Sequence, residues 1–151
     1  MKLLVQRVNK AKVEIDGSTK SEIKDGFLIL LGIHSEDNEA DIDYCIRKLV
    51  NLRIFSDKED KLNLSIKDLN YEILLVSQFT LYASIRKGNR PSFDKCAKGE
   101  LARDLYQKFI EKLNKENVPF QTGEFGADMK VSLTNDGPVT IIIDSRSEWW
   151  H

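Results

Sequence analysis

A chain of 151 residues can bury a core of its own, and residues 1–151 are expected to form one domain. It is 41% hydrophobic and 31% charged, with 23 Lys and Arg against 24 Asp and Glu, a formal net charge of -1. That balance excludes the strongly basic face of a protein that coats nucleic acid, and no apolar stretch reaches the length of a membrane span; any RNA contact is expected at a local site.

Residues 3–15 open with β-branched and apolar positions, and Ala11, Val13 and Ile15 alternate with Lys12 and Glu14, the period of a half-buried strand. Asp16-Gly17 is a hairpin turn signal, and a short return strand is expected around 19–23. A second turn at Asp25-Gly26 leads into Phe27–Ile33, nearly continuous apolar and therefore a strand covered on both faces. Ser35, Asp37 and Asn38 offer N-caps for an amphipathic helix with Ile42, Cys45, Ile46, Leu49 and Val50 on its inner face. A short strand is expected at Arg53-Ile54-Phe55, a loop over 56–70, and a buried strand from Ile73 to Val76. Arg86-Lys87-Gly88-Asn89-Arg90-Pro91 reads as a basic loop. Residues 100–114 predict a second helix with Leu101, Leu105, Phe109 and Leu113 on one face. Val131 and Leu133 alternate with Ser132 and Thr134, and Ile141-Ile142-Ile143 is a final buried strand. The Trp149-Trp150 tail fits no pattern. These elements predict an α+β domain, a curled, barrel-like and mostly antiparallel sheet with two main helices packed against it.

Cys45 and Cys96, the only 2 cysteines, lack metal spacing and read as free thiols of a reducing compartment. The apolar run before Gln6 and Arg7 is too brief for a secretion signal, so a cytoplasmic protein is expected. With 2 histidines, His34 in a loop or cap and His151 as the last residue, nothing places a catalytic base beside a serine, and clustered zinc ligands are missing. No metal and no cofactor are expected.

Four segments could carry chemistry. Ser77-Gln78-Phe79-Thr80 follows a buried strand; it is either a polar strand end or a pocket lining in which main-chain N–H groups form an oxyanion hole and the Ser77 and Thr80 hydroxyls bind or attack the substrate. Asn135-Asp136-Gly137-Pro138 suits a β-turn between strands, or a fixed backbone probe, since an X-Pro bond adopts the cis form at modest cost. Arg86, Lys87 and Arg90 are either a solvated loop or phosphate contacts. Phe125, in Phe125-Gly126-Ala127-Asp128-Met129, is either core or a stacking surface for a base.

Taken in order, Ser77–Tyr82, Arg86-Lys87-Gly88 with Arg90-Pro91-Ser92-Phe93, Thr122-Gly123 with Phe125–Met129, and Asn135–Thr140 resemble the motifs of the D-aminoacyl-tRNA deacylases. Val5-Gln6-Arg7-Val8 and Leu52-Arg53-Ile54-Phe55 fit the same pattern, and the resemblance extends from the first residues to about Ser145. It implies a homodimeric, barrel-cored hydrolase that cleaves the ester between a D-amino acid, or glycine, and the 3′-terminal adenosine of tRNA. By that likeness the Gly137–Pro138 bond is cis and its loop enters the partner subunit's site, where main-chain atoms exclude an L side chain. Phe125, Gly126 and Met129 would surround the adenosine, Asn135 would belong to the same substrate-binding tract, and Ser77, Gln78, Phe79 and Thr80 would line the scissile ester. Without a histidine base, a substrate-assisted route through the ribose 2′-hydroxyl is favoured over a Thr80 nucleophile. A general esterase and a non-catalytic dimer that binds the tRNA end are the alternatives.

Overall fold

The computed structural model describes residues 1–147; the Trp149-Trp150 tail lies outside them. Strand β1 (Lys2–Ile15) organises the sheet. One edge of β1 pairs antiparallel with β8 (Lys130–Asp144) from Lys2↔Asp144 to Glu14↔Lys130. Its other edge is shared. The first half pairs antiparallel with β3 (Gly26–Gly32), and the second half with β2 (Ser18–Ile23). Beyond β3 lie β6 (Glu72–Ser77) and β7 (Phe120–Thr122), both parallel to their neighbours. The six-stranded sheet is thus mixed, antiparallel around β1 and parallel beyond β3.

The sheet curls until its ends meet. Gln121 on β7 accepts from the Glu22 N–H at 3.2 Å and donates to the Glu22 carbonyl at 2.8 Å, and the Ser21 hydroxyl donates to the Thr122 carbonyl. Side chains bridge β2 and β7 in place of a ladder, and the result is nearly a closed barrel. Asp16 (φ 51°) and Gly17 (φ 78°) both take positive φ in the β1–β2 turn, the conformation that matches strand twist in a two-residue hairpin. Gly26 has a different reason to be glycine. A Cβ there would lie 1.7 Å from the Glu72 carbonyl oxygen, so only glycine lets β3 begin against β6.

Both faces of β3 and β6 are covered, as their apolar runs predict. Phe27, Ile29, Leu31, Ile73 and Leu75 join the helices in one core, while Leu28, Leu74 and Val76 meet Val8, Ala11 and Val13 inside the curl. Helix α1 (Glu39–Val50) starts at Asn38, whose side chain accepts from Ala40 N–H while the Asp41 carboxylate accepts from Asn38 N–H, a reciprocal cap. Helix α2 (Gly99–Asn114) buries Ala102, Leu105, Tyr106, Phe109 and Leu113. Leu101, expected on this face, is 41% exposed, because a strict four-residue spacing drifts around a helix of 3.6 residues per turn.

Further local expectations change. Ile142, expected in a buried strand, is 59% exposed on β8. The stretch 56–70 is not all loop. It holds β5 (Leu62–Leu64), paired with β4 (Phe55–Ser56), and a 3₁₀ turn at Ile66–Asp68. Phe120–Thr122 adds a strand that its three residues were too few to announce. Asn135–Pro138 does not reverse the chain; β8 continues through it. Between Val8↔Asn135 and Gln6↔Thr140, β8 advances five residues while β1 advances two, so Asp136–Val139 bulges out of the ladder.

Candidate active site

The parallel strands β3 and β6 end side by side, and the carboxyl end of a parallel pair is where open α/β sheets bind ligands. A cavity of about 540 Å³ opens there. Its apolar floor includes Leu31, Ile33 and Val76; Ser77, Gln78 and Phe79 form one wall, and Phe125, Gly126 and Met129 another. The fold therefore brings together two segments singled out separately in the sequence.

The first wall is a change of secondary structure. Strand β6 stops at Ser77, and Phe79–Tyr82 turns as a 3₁₀ helix with no side-chain cap from Gln78. Among the described residues the Phe79 and Thr80 N–H groups have no hydrogen-bond acceptor, as expected for the first donors of an uncapped turn. The Phe79 carbonyl accepts from Cys96 Sγ at 3.2 Å, and its exposed ring meets Phe93 edge-on at 5.2 Å. Thr80 does not line the cavity; its hydroxyl accepts from Gln78 Nε2.

The second wall is held by α2. Phe125 lies 5.2 Å from the Tyr106 ring, and the Arg103 guanidinium sits 5.0 Å from its centroid. Phe125 is half-buried with one side on the cavity, between the core and stacking readings. Lys98, Gly99 and Ala102 at the start of α2 complete that side. A lone lysine ahead of a helix looks like surface, so Lys98 did not stand out in the sequence; the glycine beside it at the helix entrance was the one available signal.

Gly137 and Pro138 lie elsewhere. They are exposed, and the bond between them is cis. Asn135 pins the base of the bulge, accepting from Val139 N–H at 3.1 Å and donating to the Thr140 hydroxyl at 2.8 Å. Arg7 reaches the Asp136 carbonyl at 3.1 Å. Arg7 pairs with Phe27 at the start of β3, whereas the cavity meets Leu31 near its end; four residues of strand separate them by about 13 Å. One chain does not place this bulge against its own cavity.

Arg86, Lys87 and Arg90 project from an exposed loop closed by the Ser84↔Ser92 bridge, and among the described residues none has an ion-pair partner. His34 does not line the cavity. Its Nδ1 accepts from Glu36 N–H at 3.1 Å and its ring meets Tyr82; burial, then the Arg146 charge, lowers its pKa. Cys45 and Cys96 are free and buried, and burial pushes the Cys45 thiol up to about 12. No group of three or more His, Cys, Asp or Glu able to hold a metal occurs among the described residues, and no helix there is long and apolar enough to cross a membrane.

The family model for D-Tyr-tRNA(Tyr) deacylase matches residues 4–144. A D-aminoacyl-tRNA deacylase of Finegoldia magna is 86% identical over 148 residues, 98% of this chain and 100% of that protein. Among solved structures, a c-Myc DNA unwinding element binding protein superposes with a TM-score of 0.92 at 43% identity, covering 97% of this chain and 100% of the other. A probable eukaryotic D-amino acid tRNA deacylase superposes with a TM-score of 0.78 over 94% of this chain and 97% of its own; at 15% identity that likeness is one of fold alone. The chain belongs to the D-Tyr-tRNA(Tyr) deacylase family and is a hydrolase acting on ester bonds.

Proposed function

We propose that this protein hydrolyses the ester joining a D-amino acid, or glycine, to the 3′-terminal adenosine of tRNA, as a chiral proofreading step in the cytoplasm. The observation that carries the proposal is the cavity, which the Ser77–Phe79 and Phe125–Met129 segments line together. The first suits an ester and the second a nucleoside. Water adds to the ester carbonyl. The oxyanion sits at the edge of the cavity beside Phe79, where it accepts hydrogen bonds from the Phe79 N–H group and from the adjoining Thr80 N–H group, and the 3′-oxygen leaves with a proton as the acyl bond breaks. The adjacent ribose 2′-hydroxyl positions the water, so no side-chain base is required.

Chirality is read by the Gly137–Pro138 bulge of a second protomer in a homodimer. The bulge is exposed and braced by Asn135 and Arg7, which suits a rigid main-chain probe delivered to a neighbour. A backbone probe excludes a side chain pointing toward it and ignores one pointing away, giving strong dependence on chirality and weak dependence on amino-acid identity. Arg86, Lys87 and Arg90 contact tRNA phosphates beyond the terminal nucleotide, few enough for a shallow salt dependence.

The direct test is release of D-tyrosine from D-Tyr-tRNA by the purified protein without added metal. Release well above the spontaneous rate is expected. No release, with tRNA still bound, would select the second reading, a nucleic-acid-binding protein without chemistry, which the name of the relative with a DNA-binding role keeps in view.

A further inference from the structure

The cavity carries a positive charge to which the reading above gives no task. Among the described residues, Lys98 is the one Lys or Arg that lines it. It is exposed and has no carboxylate partner among the described residues, whereas Lys108 and Lys112 further along α2 pair with Glu39, Asp104 and Asp43. Asp128, the one acid of the lining among the described residues, pairs with Lys130 instead. The Lys98 charge partly offsets the burial that raises the pKa of Cys96, two residues before it in the chain. Lys98 is the N-cap residue of α2 and makes no side-chain cap there, so the free N–H groups of the first turn add partial positive charge to the same rim.

An apolar floor, the rings of Phe79 and Phe125 and, among the described residues, a single unpaired cation match the chemistry of one nucleotide: a base with apolar faces, a ribose and one phosphate. We propose that Lys98 binds the 5′-phosphate of the 3′-terminal nucleotide of the substrate and so fixes the direction in which that nucleotide enters the cavity. The inference rests on the deacylase reading of this cavity. It separates Lys98 from Arg86, Lys87 and Arg90, which do not line the cavity and are left to phosphates further along the strand.

The test compares D-Tyr-tRNA with 3′-O-D-tyrosyl-adenosine, which has the ester and the nucleoside but no phosphate, using wild type, K98A and K98R. K98A should raise KM for D-Tyr-tRNA about tenfold, as for one charge-assisted hydrogen bond. The ratio of kcat/KM for tRNA to that for the nucleoside ester should fall by the same factor, and K98R should restore most of it. The slope of log KM against log salt should flatten by roughly 0.7. Equal losses on both substrates would overturn the proposal by placing Lys98 at the ester or in the fold, and so would an unchanged KM for tRNA. A wild-type protein inactive on both substrates would overturn the deacylase reading, and this inference with it.

Discussion

Arg7 Nε donates to the Asp136 carbonyl at 3.1 Å, so the first strand of the chain fixes the bulge that interrupts the last. The same guanidinium donates from Nη1 to the Ile54 carbonyl at 2.9 Å, and the side chain is only 12% exposed. Arg7→Ala is expected to cost about 2 kcal/mol, from the loss of charge-assisted hydrogen bonds to half-buried carbonyls, and to lower the ratio of D- to L-ester hydrolysis. Arg7→Lys should not restore the ratio, since one ammonium cannot span both carbonyls as a planar fork does. Urea unfolding and paired rates check this; an unchanged ratio would detach Arg7 from the filter.

Gly137 has φ +127°, and a Cβ there would lie 2.8 Å from Val139 Cγ2 and 3.1 Å from Arg7 Nη2. Gly137→Ala is expected to cost about 1–3 kcal/mol and to depress hydrolysis of D-Tyr-tRNA by displacing the bulge. Wild-type stability and rate in this variant would show that the bulge tolerates a side chain and is no rigid probe.

Thr80 is exposed and lies outside the cavity lining. Thr80→Ala should keep its rate within about tenfold of wild type, against the ~10⁶-fold loss seen when a true nucleophile is removed. A fall to the rate without enzyme, in a folded protein that still binds tRNA, would favour the covalent route.

One pH effect follows from the contacts that join Met1 to Asp37, Ser145 and Arg146. Met1 NH3⁺ and Asp37 form a fully buried ion pair at 2.7 Å, joined by Arg146 Nε at 2.7 Å. Beside it, Asp41 accepts from the Ser145 hydroxyl at 2.6 Å and from Asn38 N–H at 2.9 Å. Burial raises the Asp41 pKa, but these hydrogen bonds and the Met1 and Arg146 charges outweigh it and hold the carboxyl below its ordinary 3.8. A carboxyl depressed in the folded state contributes stability above the unfolded value and loses it as pH falls through the folded one. The stability gap between wild type and Asp41→Asn should therefore be constant from neutral pH to about 5 and shrink below 3.8. A gap that persists in acid would assign the effect to packing.

Local chemistry made much of the fold legible. Asp16-Gly17, the Asn38 cap and the doubly covered run after Gly26 each formed as their residues dictate. Strand direction was not legible, because periodicity gives burial and not partner; the parallel pairing of β3, β6 and β7 comes from tertiary assembly. Leu101 misled because helical drift turned it outward. The two cavity walls were readable as separate segments, but only the curl of the sheet brings Ser77 and Phe125 to one cavity. Lys98 was invisible for the same reason, being ordinary in sequence and singular only in place.

The most direct measurement is the paired rate of deacylation of D-Tyr-tRNA and L-Tyr-tRNA by the same purified protein without added metal. Rapid loss of the D-ester with the L-ester spared is the predicted result. Comparable loss of both would contradict a main-chain filter at Gly137–Pro138 and leave a general esterase.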